Sequence, residues 1–281
     1  MPTDIGQTFR ALHQPGNPFI LANAWDIGSA KLLAGLGAQA LATSSAAHAF
    51  TLGRPDGGHV SRDESLAHAQ DLVAASPLPV SGDFENGFGH DPDTCAETVR
   101  LSAEIGLAGI SIEDINPDGG YYDFDLSVER IRAAAATARA LPGDFVLVAR
   151  ADGVMEKTYD MPEAIKRIRA YDAAGADCLY IPLPPDFESL KQITAATDKP
   201  VNALAAGPFT KFSRADYAAA GIARISLGSA LARVTHRAIW DAAEAMFQQG
   251  DFTALGHSIG ANKIDPLLGS PASLVRKYSR G

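Results

Sequence analysis

The segment Gly82-Asp83-Phe84-Glu85-Asn86-Gly87-Phe88-Gly89 sets two carboxylates two residues apart, directly after the apolar run Leu78-Pro79-Val80. On an extended chain, side chains at i and i+2 share a face, so Asp83 and Glu85 could converge on one hard cation. The glycines would let the chain turn sharply afterwards. The same pattern also suits a solvated turn at a strand end, and the pair alone does not choose between them. Further polar groups close other apolar runs: Asn23-Ala24-Trp25-Asp26, Thr43-Ser44-Ser45-Ala46, Glu113-Asp114, Arg150-Ala151-Asp152 and Asn202. Ser44 and Ser45 could cap a helix as readily as bind ligand oxygens. Arg150 ends the run Val146-Leu147-Val148-Ala149, and a guanidinium there needs an anion. That anion is either a substrate or a protein carboxylate, for which Asp26 and Asp152 are the candidates. Acids, one arginine and a small-residue loop suit a carboxylate substrate bound through Mg²⁺, which takes oxygen ligands and keeps several waters. A 2-oxo acid could chelate such a cation, which would stabilise charge developing on the ketone oxygen as an enolate forms.

These groups need a scaffold that gathers strand ends. Eight β-rich runs are predicted as strands: 19–24, 38–44, 79–83, 109–113, 145–150, 178–182, 200–204 and 224–227. Alanine-rich segments of helical character separate them, the pattern of repeated βα units. Gly37, Gly106, Gly175 and Gly221 each precede a strand, where a helix-terminating left-handed residue is expected. Asp91-Pro92 reads as an N-cap and first-turn proline, and Asp160 with Glu163 as a capping box, followed by an inward stripe of Ile165, Ile168 and Tyr171. Eight such units predict one α/β domain over residues 1–281, a (β/α)8 TIM barrel of parallel strands whose catalytic groups project from strand C-termini. No G-x-G-x-x-G follows the first strand and no G-x-x-x-x-G-K-[ST] occurs, so nucleotide binding is not expected. The last long helix, Ala230 to Gln249, carries Ile239, Trp240, Ala243 and Phe247 and needs a partner surface. Residues from about 230 to 281 are therefore expected to serve oligomer contacts.

A formal net charge of −9 argues against nucleic-acid or anionic-membrane partners. No stretch is apolar for about eighteen residues, and a soluble, cytoplasmic protein with a small-molecule partner is expected. Cys95 and Cys178 lack metal-ligand spacing and read as buried free thiols. His48, His59 and His90 fall in predicted loops and are expected to be solvated rather than catalytic. Lys157 and Lys211 also fall in loops, which disfavours a Schiff-base aldolase.

Taken in order, these motifs resemble the isocitrate lyase/phosphoenolpyruvate mutase superfamily over nearly the whole chain. Asn23-Ala24-Trp25-Asp26-Ile27-Gly28-Ser29-Ala30 is similar to its Y-D-x-x-S-A element, Thr43-Ser44-Ser45-Ala46 to its S-G loop, and Arg54-Pro55-Asp56-Gly57-Gly58 to its P-D-x-G element. The acidic turn resembles D-x-D-x-G-Y-G, with Glu85 in place of the second Asp. Ile112-Glu113-Asp114, Val148-Ala149-Arg150-Ala151-Asp152 and Ala174-Gly175-Ala176-Asp177 resemble I-E-D, A-R-T-D and A-G-A-D. The resemblance implies a Mg²⁺ or Mn²⁺ site with Asp83 as direct ligand and Glu85, Glu113 and Asp56 acting largely through water. It assigns substrate contacts to Ser44, Ser45, Ala46, Trp25 and Asn202, and to Arg150 as the carboxylate or oxyanion partner, with Arg150, Glu113 and Asp83 forming the catalytic set. It also implies a homo-oligomer, a tetramer or helix-swapped dimer.

Two departures bear on the reaction. Family members that cleave isocitrate-like substrates carry a K-[KR]-C-G-H segment, where this chain has Ile115-Asn116-Pro117-Asp118-Gly119-Gly120-Tyr121-Tyr122. Pro182 stands at the end of strand six, where Glu or His is usual. A metal-dependent carbon-carbon lyase or decarboxylase acting on an oxaloacetate-like or methylisocitrate-like 2-oxo acid needs the fewest missing groups, because loss of CO₂ generates the enolate without a base. Tyr121 or Tyr122, on a lid whose motion Gly119 and Gly120 would permit, or a metal-bound water would then supply a proton. The alternatives are a phosphonopyruvate-type carbon-phosphorus mutase or hydrolase, and a 2-oxo acid binding protein without turnover.

Overall fold

In the computed structural model, which describes residues 4–269, eight parallel strands close into a barrel in sequence order, β8 pairing with β1. The strands are β1 Phe19–Asn23, β2 Ala40–Ala42, β3 Val80–Asp83, β4 Gly109–Glu113, β5 Val146–Arg150, β6 Cys178–Tyr180, β7 Val201–Leu204 and β8 Arg224–Ser226. The helices are α1 Ile5–Ala11, α2 Ile27–Gly35, α3 Ser45–Thr51, α4 Arg62–Ala75, α5 Pro92–Glu104, α6 Phe124–Ala140, α7 Met161–Ala174, α8 Ser189–Thr194, α9 Arg214–Ala219, α10 Ala230–Gln249 and α11 Ala261–Leu268. The predicted (β/α)8 architecture is present. β4 has the expected bounds, five strands are one residue shorter than expected, and β2 and β6 are shortened by more. β2 stops at Ala42 because Thr43 turns its hydroxyl to the Asp83 amide, at 2.7 Å, and Ser44 becomes the N-cap of α3. β6 stops at Tyr180, before Pro182, which has no N–H to pair, and Leu183, which sits at φ 42°.

Alternation along each strand divides the core in two. Outward residues such as Leu41, Ile110, Leu147, Leu179 and Ile225 pack against the helix layer. Inward residues Phe19, Leu21, Val146, Val148, Cys178 and Tyr180 form a separate cluster that Phe9 of α1 joins. Both cysteines are buried free thiols, as expected.

The predicted helix stops at Gly37, Gly106, Gly175 and Gly221 all lie at positive φ. Gly175 is the left-handed cap of α7, and a Cβ there would also approach Ala135 Cβ to 3.0 Å. Asp160 accepts from the Glu163 amide, but Glu163 turns to Arg167 instead of completing a capping box. Asp91 caps only by position, with Pro92 in the first turn.

The long helix α10 buries only Ala232 among its twenty residues, leaving Trp240 68% and Phe247 85% exposed. Ile20 on β1 is also exposed. No helix among the described residues is long and apolar enough to cross a membrane. Residues 270–281 of the expected oligomer-contact region lie outside the described residues.

Candidate active site

The mouth of the barrel holds a cavity of about 160 Å³ at the C-terminal ends of the strands. Its centre is Arg150, the last residue of β5. Nη1 donates to Asp83 Oδ1 at 2.7 Å, Nε to Asp152 Oδ1 at 3.1 Å, and Nη2 lies 3.1 Å from Glu113 Oε2. Register explains the convergence, since Glu113 and Arg150 are direct partners across β4 and β5. Burial alone would pull the Arg150 guanidinium down, but Asp152, Glu113 and Asp83 hold it more firmly protonated than a free arginine.

Asp83 accepts from four donors: Arg150 and Ser111 Oγ, at 3.2 Å, on Oδ1, and the Ser45 amide and hydroxyl, at 3.0 and 2.9 Å, on Oδ2. The sequence reading of Ser44 and Ser45 as either caps or ligands resolves into a division of labour. Ser44 caps α3 by accepting from the Ala47 amide, and Ser45 holds Asp83. Both line the cavity with Ala46.

Glu85 reaches the same region by a different route from the one expected. The strand ends at Asp83, so Glu85 is not an i+2 strand residue. It sits at φ 44° in a turn closed by the Gly87 amide and Phe84 carbonyl at 2.7 Å. Gly87, at φ 80°, makes that turn possible, and a Cβ on it would come 3.0 Å from Cys95 Sγ. Glu85 Oε2 accepts from the Gly58 amide at 3.0 Å, tying the turn to the loop that carries Asp56, itself a cavity residue.

Four carboxyls of this cluster titrate unusually high. Burial raises Glu85 to about 6, and Asp83 and Asp56 add to the effect. Burial, then Asp83, raises Asp56, and burial pushes Glu113 well up despite the opposing Arg150. Asp152, also buried, is pushed up to about 6 against the pull of Arg150. Asp56, Asp83, Glu85, Glu113 and Asp152 thus crowd around one guanidinium with negative charge to spare, which suits a divalent cation. Among the described residues, no three acid, His or Cys side chains close on a common point at ligand spacing. The described residues do not form an all-protein cage: Asp83 and Asp56 line the cavity while Glu85 and Glu113 stand outside its lining, so they suit only a cation that keeps much of its water shell.

Several assignments change. Asp26 is not a partner of Arg150; it caps α2, accepting from the Ser29 amide at 2.6 Å, while Asp152 clamps the arginine. Trp25 lines a separate groove with His48 and His68, and its carbonyl accepts from His68 Nε2 at 3.0 Å. His48 is neither in a loop nor solvated. It is buried in α3 and stacked on His68 at 3.8 Å, and burial lowers it to about 4. Asn202 is fully buried inside the barrel. Its amide donates to Ser226 Oγ at 2.9 Å and its carbonyl accepts from Arg224 Nε at 3.0 Å, so it is not a cavity-wall residue.

Residues 115–122 form a small hairpin closed by a bridge between Ile115 and Tyr121. Tyr122 is buried beside Arg130, its hydroxyl bonded to Asn86 Nδ2 at 2.8 Å and to His90 Nδ1 at 2.9 Å. Tyr121 packs edge-on against Tyr159. Neither tyrosine lines the cavity, so the expected lid donor is not supported. The cavity wall does contain Tyr180 and Arg224, which the sequence reading missed. Both are inward residues of their strands, and alternation with Leu179 and Ile225 was the available signal.

A parallel (β/α)8 barrel with an acid-rich, arginine-centred mouth defines the class of protein. The chain belongs to the phosphoenolpyruvate phosphomutase family, whose family model matches residues 9–247, and thus to the isocitrate lyase/phosphoenolpyruvate mutase superfamily. A crystal structure of a Burkholderia cenocepacia protein provisionally described as a lyase/mutase superposes with a TM-score of 0.90 at 44% identity, covering 95% of this chain and 96% of that one. The 2-methylisocitrate lyase of Salmonella typhimurium is 34% identical over 184 residues, 62% of this chain and 61% of the relative. The oxaloacetate decarboxylase of Pseudomonas savastanoi is 30% identical over 206 residues, 70% and 69% of the two chains.

Proposed function

We propose that this protein is a divalent-metal-dependent carbon-carbon lyase, with decarboxylation of an oxaloacetate-like 2-oxo dicarboxylate as the reaction the site supports best. The observation that carries this reading is the Arg150 cluster at the strand ends, a site for oxygen anions, combined with a 115–122 hairpin that offers no Cys, Lys or His. Family relatives named as lyases and as an oxaloacetate decarboxylase support the reaction class. Mg²⁺ or Mn²⁺ at Asp83 would supply charge neutralisation for the substrate's carboxylate and ketone oxygens.

The chain's own residues do the rest. Ser45 orients Asp83, and the carboxylates that raise one another's proton affinity exclude a second free anion from their side of the cavity. Arg150 meets the oxygen on which charge develops when the bond to CO₂ breaks, leaving its electron pair as the enolate. No base is required for that step. The enolate carbon must then take a proton, and the Tyr180 hydroxyl in the cavity wall, next to Arg150, is positioned to carry one.

Purified protein with Mg²⁺ should release pyruvate from oxaloacetate well above the metal-only rate, and Asp83→Ala should abolish the excess. No excess over free metal, or an equally active Asp83→Ala, refutes the reading. Phosphate release from phosphonopyruvate would favour the carbon-phosphorus alternative.

A further inference from the structure

Two guanidiniums line the cavity, and they differ in one respect. Arg150 is paired with Asp83, Glu113 and Asp152. Arg224, on β8 and only 3% exposed, has no carboxylate partner among the described residues. Its Nε is held by Asn202 Oδ1, which in turn is fixed through Ser226, and its Nη1 is buried with no hydrogen-bond partner. Burial pulls this guanidinium down, the reverse of Arg150. A buried arginine charge left without an anion is costly, and such a group in a cavity wall is a ready receptor for one. Seryl and amide side chains, Ser81, Ser111, Ser226 and Asn23, line the same cavity.

We propose that Arg224 forms an anion subsite within the barrel that receives the second carboxylate of a small dicarboxylate, the first being held at the Asp83–Arg150 end. The inference rests on the reading that this cavity takes a small acid, and it makes the site selective for two anionic groups. Asn202 thereby serves substrate recognition without touching substrate, by holding the guanidinium that does.

The test compares diacids and monoacids of equal carbon number by isothermal titration calorimetry with Mg²⁺ present: malonate against propionate, and succinate against butyrate. Wild-type protein should favour the better-fitting diacid by about tenfold or more, the effect of one charge-assisted contact. Arg224→Met should collapse that ratio, weakening the diacid far more than the monoacid. Should Arg224→Met fail to fold, Arg224→Lys, which keeps the charge but not the planar fork, should lower the ratio severalfold. A wild type without diacid preference, or a ratio unchanged in whichever variant folds, overturns the proposal. Replacing the diacid's second carboxylate by a phosphonate should preserve binding if only charge is read, and weaken it if the flat carboxylate is read; loss of the Arg224 dependence for both would also overturn it. Oxaloacetate turnover separates this inference from the functional reading. Turnover with an unchanged KM in Arg224→Met refutes the subsite alone, whereas Arg224-dependent diacid binding without any cleavage refutes the lyase alone.

Discussion

Asp114 should be the most damaging single substitution outside the cavity. Its carboxylate is 3% exposed and accepts from four donors: the Asp152 amide at 2.9 Å, Tyr159 Oη at 2.7 Å, Arg167 Nη1 at 2.9 Å and Tyr171 Oη at 3.2 Å. It therefore ties β4 to the loop after β5 and to α7. Asp114→Asn keeps the shape but removes the charge and points an N–H₂ at groups that are themselves donors. Arg167, buried, would retain only Glu163 at 3.0 Å and Ser127. Breaking one side of a buried ion pair costs about 3–5 kcal/mol. With unfolding entropy of roughly 2.1 cal/mol/K per residue over 281 residues, each kcal/mol is worth about 1.7 °C, so the melting temperature should fall by about 5–8 °C. Calorimetry on the wild type, Asp114→Asn, Arg167→Met and the double variant would measure it. The double variant should be less destabilised than the sum of the singles, because it leaves no orphaned guanidinium. A shift below about 2 °C for Asp114→Asn, or strict additivity, would refute the account of Asp114 as a hub. The loss falls on the Oδ2 side, where Arg167, Tyr159 and Tyr171 donate; the oxygen that Asp114→Asn retains can still accept from the Asp152 amide, so the clamp on Arg150 keeps its anchor.

Three further outcomes follow from the same geometry. Burial, then Arg224, lowers His13 to about 3; the unfolded chain titrates near 6.5 and so binds the extra proton first, so stability is complete above about pH 6.5 and declines as pH falls toward 3, by up to about 1.4 kcal/mol per unit. Urea midpoints against pH should show that slope in the wild type and lose much of it in His13→Gln. Tyr180→Phe should lower kcat for pyruvate formation by about 10²-fold with little change in KM, since it removes a proton carrier and leaves the anion contacts intact; an unchanged kcat excludes the hydroxyl as donor. Trp240→Glu with Phe247→Glu should convert an oligomer into monomers in analytical ultracentrifugation, because α10 exposes both rings; a wild type that is already monomeric refutes that assignment.

The barrel was legible because many of its strands carry a signal at their entry. Helix-stop glycines at 37, 106, 175 and 221 precede four of the eight strands, and all four lie at positive φ in the structure. The Asp83–Arg150–Glu113 cluster follows from strand-end position alone once the barrel is assumed. What escaped sequence reading was direction. Asp26 and Asp152 look equivalent as acids following a strand, yet a helix start at Ile27 claims the first, and β5 places the second beside Arg150. Arg224 opens its strand, where an arginine reads as a solvated entry residue; only the inward alternation with Ser226 reveals it as barrel interior. Tyr122 could not be placed because its position depends on Asn86, distant in sequence, and on Arg130 in the helix that follows.

Asp83 shows how closely the resting site is balanced. An ionised carboxylate offers about four lone-pair sites, and Arg150, Ser111 and both donors of Ser45 already use as many. Asp83 can ligate a cation only by giving up one of these donors. The Ser45 amide is fixed by the first turn of α3, and its hydroxyl sits on the same residue. Arg150 alone has other anions to fall back on, since Asp152 and Glu113 hold its remaining arms. Exchange at Asp83 would therefore release Arg150 Nη1 toward the cavity without leaving the guanidinium unpaired. On this argument Asp152 and Glu113 do more than hold Arg150 in place: they keep its release inexpensive, so Asp152→Asn should weaken metal binding at Asp83 as well as misplace the arginine. Calorimetric Mn²⁺ titration of Asp152→Asn at fixed pH would show an affinity loss of about tenfold, and an unchanged affinity would mean that Asp83 and Arg150 do not exchange partners.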